Sequence, residues 1–236
     1  MAAFDHLDDA SHAVSAILDA GIVPLALEMM DHVTLRCVES YLRAGLPIDS
    51  DAMLLIDVDG DPESVAEQVA VVGQVCRQGG AAIVRQAGSA EESAQLWRAR
   101  RSTSSSFGRI RPNKLGEDIS VPRGAIPSMV RAVQDIAQQS SLLIPLFGHI
   151  GDGNLHPNIL CDLRDKDEMS RVAEAARAIF DAAIERGGTL SGEHGIGLLK
   201  RDFLPSSLDP AIIGLMRQIK QQLDPAGILN PGKLLA

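Results

Sequence analysis

Residues 53–86, Met53-Leu-Leu-Ile-Asp-Val-Asp-Gly-Asp-Pro-Glu-Ser-Val-Ala-Glu-Gln-Val-Ala-Val-Val-Gly-Gln-Val-Cys-Arg-Gln-Gly-Gly-Ala-Ala-Ile-Val-Arg-Gln86, carry the pattern that decides the fold. Met53–Val58 is an apolar run of strand length, and Asp59-Gly60 after it is a turn signal. Glu63–Gln78 is apolar at Val65, Val69, Val72 and Cys76, the spacing of one helix face, and Gly79-Gly80 stops it. Ala82-Ile-Val-Arg-Gln resumes as a strand. Strand, helix and strand within about thirty residues suit either a parallel Rossmann sheet or a split, ferredoxin-like one.

The flanks repeat the alternation. Upstream, residues 9–20 read as a helix stopped by Gly21, Ile22–Leu27 as an apolar stretch, and 31–44 as a helix ending at Gly45. Downstream, 90–105 reads as helix, Ile119-Ser-Val-Pro as a short extended piece, and Ile126–Gln139 as helix. Leu142–Ile150 and Leu155–Leu160 read as strands, and 165–186 and 209–223 as helices. The Ser-rich segment from Arg101 to Pro112 reads as a mobile loop. No G-x-G-x-x-G follows a strand and no Walker loop is present, so these residues hold no nucleotide fingerprint.

Composition limits the function classes. The 236 residues have a formal net charge of -9 and no Lys/Arg-rich run, which argues against nucleic-acid binding. No apolar stretch approaches the roughly 20 residues of a membrane span. Cys37, Cys76 and Cys161 are far apart and read as buried thiols in a reducing, cytoplasmic setting.

Three stretches carry chemistry. In Phe147-Gly-His-Ile-Gly-Asp-Gly-Asn-Leu-His-Pro-Asn158, Asp152-Gly153 is a two-residue hairpin signal. Counting outwards from it pairs His149 with His156 and Phe147 with Asn158. Phe147, His149, His156 and Asn158 then share one face, and Ile150, Leu155 and Ile159 the other. Opposed Cβ atoms lie roughly 4.5–5.5 Å apart, so two such imidazoles can share a metal ion; two core histidines flanking a turn are the alternative. In Thr189-Leu-Ser-Gly-Glu-His-Gly-Ile-Gly197, Glu193 could complete a His/His/Glu site and His194 could act as a base. An exposed turn explains that stretch equally well. In Leu96-Trp-Arg-Ala-Arg-Arg-Ser-Thr-Ser104, Arg100 and Ser104 are four apart and would be helix neighbours able to clamp a carboxylate. Lys114 and Arg109 add charge there, and a solvated basic patch is the competing reading.

Taken in order, these stretches resemble the C-terminal half of FAD-linked oxidases of the vanillyl-alcohol oxidase superfamily. The branch is that of glycolate oxidase, D-lactate dehydrogenase and D-2-hydroxyglutarate dehydrogenase. The resemblance also rests on Leu27-Glu-Met-Met-Asp31, Glu117-Asp-Ile-Ser-Val-Pro-Arg123 and Asp224-Pro-x-Gly-Ile-Leu-Asn-Pro-Gly-Lys233. It implies an α+β, ferredoxin-like antiparallel sheet with helices on one side. The cap (substrate) domain would span 1–223 and a tail, 224–236, would return toward the flavin, with the N-terminal FAD-binding domain expected to be absent from these residues. The implied activity is oxidation of a 2-hydroxy acid to the 2-oxo acid with hydride transfer to FAD. By the same likeness, a divalent metal, zinc by its donor set, falls on His149, His156 and Glu193. The base falls on His194, substrate contacts on Arg100, Ser104, Lys114 and Asn158, and a flavin contact on Asn230. Position 104 is more often Thr in the hydroxyglutarate branch, and the spacing that follows Lys114 differs there. Implied partners are an FAD-binding domain or subunit, an iron–sulfur subunit and a further copy of the chain, with membrane association only through partner subunits. The competing function is a non-catalytic module that binds a metal, a hydroxy acid or a partner subunit. Loss of the flavin domain would bare an apolar face with Glu193, His194 and Arg100 at its margin and leave Ser102–Lys114 poorly ordered.

Overall fold

A computed structural model describes residues 1–235. The strands are β1 (Ala2–Phe4), β2 (Ala26–Asp31), β3 (Ala52–Asp57), β4 (Ala81–Val84), β5 (Asn113–Gly116), β6 (Ile119–Ser120), β7 (Leu146–Gly148) and β8 (Asn154–Cys161). The helices are α1 (Leu7–Asp19), α2 (His32–Leu42), α3 (Pro62–Gln78), α4 (Ala90–Arg101), α5 (Thr103–Phe107), α6 (Ile126–Ser140), α7 (Lys166–Glu185), α8 (Gly197–Lys200), α9 (Leu204–Ser207) and α10 (Pro210–Leu223). None of the described helices is long and apolar enough to cross a membrane.

The sheet order is β4-β1-β3-β2-β7-β8-β5, with β6 paired to β8. β3 and β4 each run antiparallel to β1, which lies between them, so the strand–helix–strand of residues 53–86 is a split unit. β1 and β2 are split by β3 in the same way. That arrangement is ferredoxin-like and removes the Rossmann alternative. β1 escapes a sequence reading because it is three residues long, yet it is an interior strand and fully buried.

Alternation along the strands sorts two cores. Phe4, Leu27, Met29, Leu54, Leu146, Leu155 and Ile159 face α1, α3, α6 and α7. Met30, Met53, Phe147 and Leu160 face the other way, onto α2 and Phe107. α1, α3, α6 and α7 thus lie on one side, as expected, and α2, α4 and α5 cover part of the second face. The three cysteines are free and buried.

Two expectations fail here. Ser102–Lys114 is a helix, a turn and the start of a strand, because Phe107 is fully buried beside Phe147 and β5 pairs with β8. The hairpin register is also different. Phe147, not His149, pairs with His156, and Leu146 pairs with Pro157. A short 3₁₀ turn over Ile150–Asp152 widens the loop, since it drives Ile150 into the first core.

Asp31 caps α2, its carboxylate accepting from the Thr34 amide at 2.8 Å. Burial pushes its carboxyl up to about 6, against the hydrogen bonds from Thr34. The folded value lies above the unfolded one of about 3.9, so folding is favoured less as pH rises between them. Asp31→Asn keeps the capping oxygen and removes the charge. It is expected to stabilise the chain by up to about 3 kcal/mol at pH 8, with the gain shrinking toward pH 4. Urea unfolding at the two pH values checks this, and an equal effect at both would contradict it.

Candidate functional site

The site lies on the second face of the sheet, where α2, α4 and α5 leave β2, β7 and β8 uncovered. β8 presents His156 and Asn158 there, both buried, and β2 presents Glu28. His149 follows β7 in the widened loop, and Glu193 and His194 come from the Gly-rich loop before α8.

The ligand atoms of His149, His156 and Glu193 lie within 4.8 Å of one another. Glu193 Oε1 is 3.5 Å from His149 Nε2 and 3.3 Å from His156 Nε2. Two ligands about 2.0–2.1 Å from a tetrahedral zinc stand about 3.3–3.4 Å apart. The spacing and the N/N/O donor set therefore fit a divalent ion. The imidazoles are edge to face, their centroids 5.4 Å apart, so the misjudged register still brings the two rings together. Burial lowers the His156 pKa to about 4, with Asp118 and Glu193 opposing the shift, which keeps the ring neutral at neutral pH as a ligand must be. The His194 ring stacks on His156 at 5.3 Å and is more than half exposed. Its Nε2 is 3.7 Å from Glu193 Oε1.

The residues expected to clamp a carboxylate are arranged differently from the sequence picture. The helix breaks at Ser102, where the Thr103 hydroxyl donates back to the Arg100 carbonyl at 2.8 Å. Arg100 and Ser104 are therefore on separate helices. Arg100 donates to Glu28 and its guanidinium lies over the Phe147 ring, 4.7 Å from the centroid. Ser104 instead hydrogen-bonds Lys114 Nζ. Lys114 lies over the Phe107 ring, and burial lowers its pKa. Arg109 lies over Tyr41, apart from this group. The Asn158 amide donates to the His156 carbonyl at 2.9 Å.

Residues that sequence reasoning missed hold the site in place. Asp118 Oδ2 accepts from the Ser191 hydroxyl at 2.6 Å and from the amides of Glu193 and His194 at 3.0 and 2.8 Å. Its Oδ1 accepts from Asn154 at 2.6 Å. Burial alone would raise the Asp118 carboxyl; these donors outweigh it and hold the group well below the usual range. Lys200, also buried, donates to the carbonyls of Asp118 and Leu190 at 2.6 and 2.7 Å, pinning the loop from both ends. Glu28 and Asp118 both lie in stretches that carry the family resemblance, Leu27–Asp31 and Glu117–Arg123, which gave them no role of their own.

Asn230 lies away from the histidines, in the tail. It lines a groove of about 1200 Å³ that also reaches Glu193 and the apolar residues Ile219, Leu223 and Leu229. Leu223 and Leu229, which line it, are 78% and 58% exposed. Of Glu193, His194 and Arg100, Glu193 alone lines the groove; Arg100 is held by Glu28 instead.

A sequence profile described as "FAD linked oxidases, C-terminal domain" matches residues 1–234. The chain is 43% identical over its whole length to glycolate oxidase subunit GlcD of Bacillus subtilis, covering 50% of that protein. It is 33% identical to D-2-hydroxyglutarate dehydrogenase of Stutzerimonas stutzeri, over 99% of this chain and 50% of that one. The chain thus spans about half the length of the curated relatives it matches. A crystal structure of p-cresol methylhydroxylase with substrate bound superposes with a TM-score of 0.73 at 16% identity, over 98% of this chain and 51% of that chain, a likeness of fold alone.

Proposed function

Because the chain belongs to the FAD-linked oxidase C-terminal domain family, we propose that it is the substrate-binding half of an FAD-dependent 2-hydroxy-acid dehydrogenase of the glycolate or D-lactate type. The observation that carries this reading is the convergence of His149, His156 and Glu193, with His194 stacked on His156 beside them. On this reading those three residues hold a divalent ion, zinc by the donor set. When bound, the metal supplies Lewis-acid activation of a hydroxyl and the flavin supplies two-electron acceptance.

The chain's own residues do the rest. Lys114 and Ser104, already paired, and the free edge of Arg100 bind the substrate carboxylate, with Asn158 beside them. His194 Nε2 takes the hydroxyl proton; its exposure leaves room for substrate above Glu193. The groove lined by Asn230 and the bared leucines fits the reading that the tail, 224–236, and α10 meet a flavin domain or subunit. An iron–sulfur partner, a further copy of the chain and a cytoplasmic location belong to the same proposal. The isolated chain is expected to be colourless and inactive.

The test mixes the chain with the FAD-binding half of a relative and follows dye reduction by glycolate and D-lactate. Turnover that needs both chains, falls on chelation and drops at least about 100-fold in His149→Ala is the expected result. Binding of zinc or hydroxy acid without any turnover would favour the non-catalytic module instead.

A further inference from the structure

Glu28 is the one buried carboxylate that touches both halves of the proposed site, and neither the motif reading nor the proposed mechanism gives it a task. Its side chain is 6% exposed. One oxygen, Oε2, accepts from Arg100 Nε at 2.8 Å and makes an ion pair with Nη2, also 2.8 Å away. The other, Oε1, is 2.5 Å from His149 Nδ1. We propose that Glu28 is a positioning residue that couples the metal ligand His149 to the carboxylate clamp Arg100, fixing the imidazole tautomer with one oxygen and the guanidinium angle with the other. This rests on the metal-site reading above.

The chemistry is direct. A carboxylate only accepts, so His149 Nδ1 must carry the proton when it faces Oε1. The Nε2 lone pair is then left for the side on which Glu193 and His156 lie, as a metal ligand requires. The Arg100 guanidinium, with one edge on Oε2 and its plane on Phe147, has only its remaining N–H groups free for a ligand. Burial makes the arrangement exclusive, because Glu28 needs the Arg100 charge and neither partner can be replaced by water at little cost.

Glu28→Gln separates this from a merely space-filling role. The amide has one acceptor and one donor end, so it can accept from Arg100 or from His149 but not from both. With oxygen on Arg100, the NH₂ group meets Nδ1 and selects the tautomer whose Nε2 is protonated. The experiment is a zinc titration of the purified chain against a chromophoric chelator, for the native chain, Glu28→Gln, Arg100→Met and His149→Ala. Expected are a loss of about 10–100-fold in affinity for Glu28→Gln at an unchanged circular-dichroism spectrum, a smaller loss in the same direction for Arg100→Met, which strips Glu28 of its counter-charge but leaves it facing His149, and no site in His149→Ala. Affinity of Glu28→Gln within twofold of native, with His149→Ala still abolishing the site, overturns the role of Glu28 and leaves the metal site standing. Absence of zinc binding by the native chain overturns the metal site itself. Should Glu28→Gln not fold, ¹⁵N NMR of the native imidazoles at pH 8 decides: Nδ1–H on His149 is expected, and an Nε2–H majority refutes the proposal.

Discussion

Asp118→Ala is expected to cost the chain about 3–5 kcal/mol and to release the loop that carries Glu193 and His194. Four donors converge on that one buried carboxylate: the Ser191 hydroxyl, the Glu193 and His194 amides and the Asn154 side chain. Hydrogen bonds to a charged acceptor contribute about 1.5–3 kcal/mol each. Water entering the void satisfies some of the stranded donors, which holds the sum below the full total. The Ser191 oxygen also accepts from the Gly195 amide at 2.7 Å, so loss of Asp118 propagates along the turn. The pH dependence has a definite sign. Asp118 is held below its ordinary value, so its contribution is whole above the unfolded value of about 3.9 and is lost as pH falls from there toward the folded one. The native-minus-variant difference in urea unfolding should be large at pH 7 and narrow in acid. Amide exchange at Glu193 and His194 should approach the open-loop limit in the variant. A cost under about 1 kcal/mol at pH 7 would mean that the loop holds its shape by other contacts.

The parts that sequence could reveal are those with local causes. α3 is legible because Asp61 caps it, Pro62 opens it and its apolar spacing is regular. α1, α6, α7 and α10 are legible for similar reasons of spacing. β1 and β5 are not, since Ala2–Phe4 and Asn113–Gly116 owe their conformation to partners far along the chain. Among site residues, His149, His156 and Glu193 stand out by their glycine-rich settings. Glu28 and Asp118 do not, because their importance comes from what folding brings to them: a histidine from β7's loop, an arginine from α4, amides from the loop before α8. The misread hairpin has the same origin. Asp152-Gly153 marks a reversal correctly, and Gly153 does take a left-handed φ of 75°. Whether that reversal takes two residues or a longer turn depends on the core pocket waiting for Ile150, which lies outside the local sequence.

Gly153→Ala is expected to be among the most damaging single substitutions in the chain, and a second glycine isolates the reason. Gly153 and Gly21 have similar backbone angles, φ 75° and 80°. Around Gly21 nothing lies within 4 Å of a built Cβ, so Gly21→Ala meets only the conformational cost, about 1 kcal/mol. At Gly153 the same Cβ would stand 2.0 Å from the Val121 carbonyl oxygen, a rigid backbone atom. Val121 must therefore withdraw, and its amide gives up the 3.0 Å bond to the Gly153 carbonyl. With it goes the pairing of Ile119 with Leu155 and Ser120 with Asn154, which holds β6 on β8. β6 directly follows Asp118, and β8 carries His156 and Asn158, so the fault line crosses the site. Gly153→Ala is accordingly expected to cost at least about 3 kcal/mol more than Gly21→Ala, and to weaken zinc binding where Gly21→Ala leaves it intact. Paired urea titrations and the chelator assay measure both differences. Equal costs for the two glycines would show that Val121 yields freely and that β6 has no part in holding the site together.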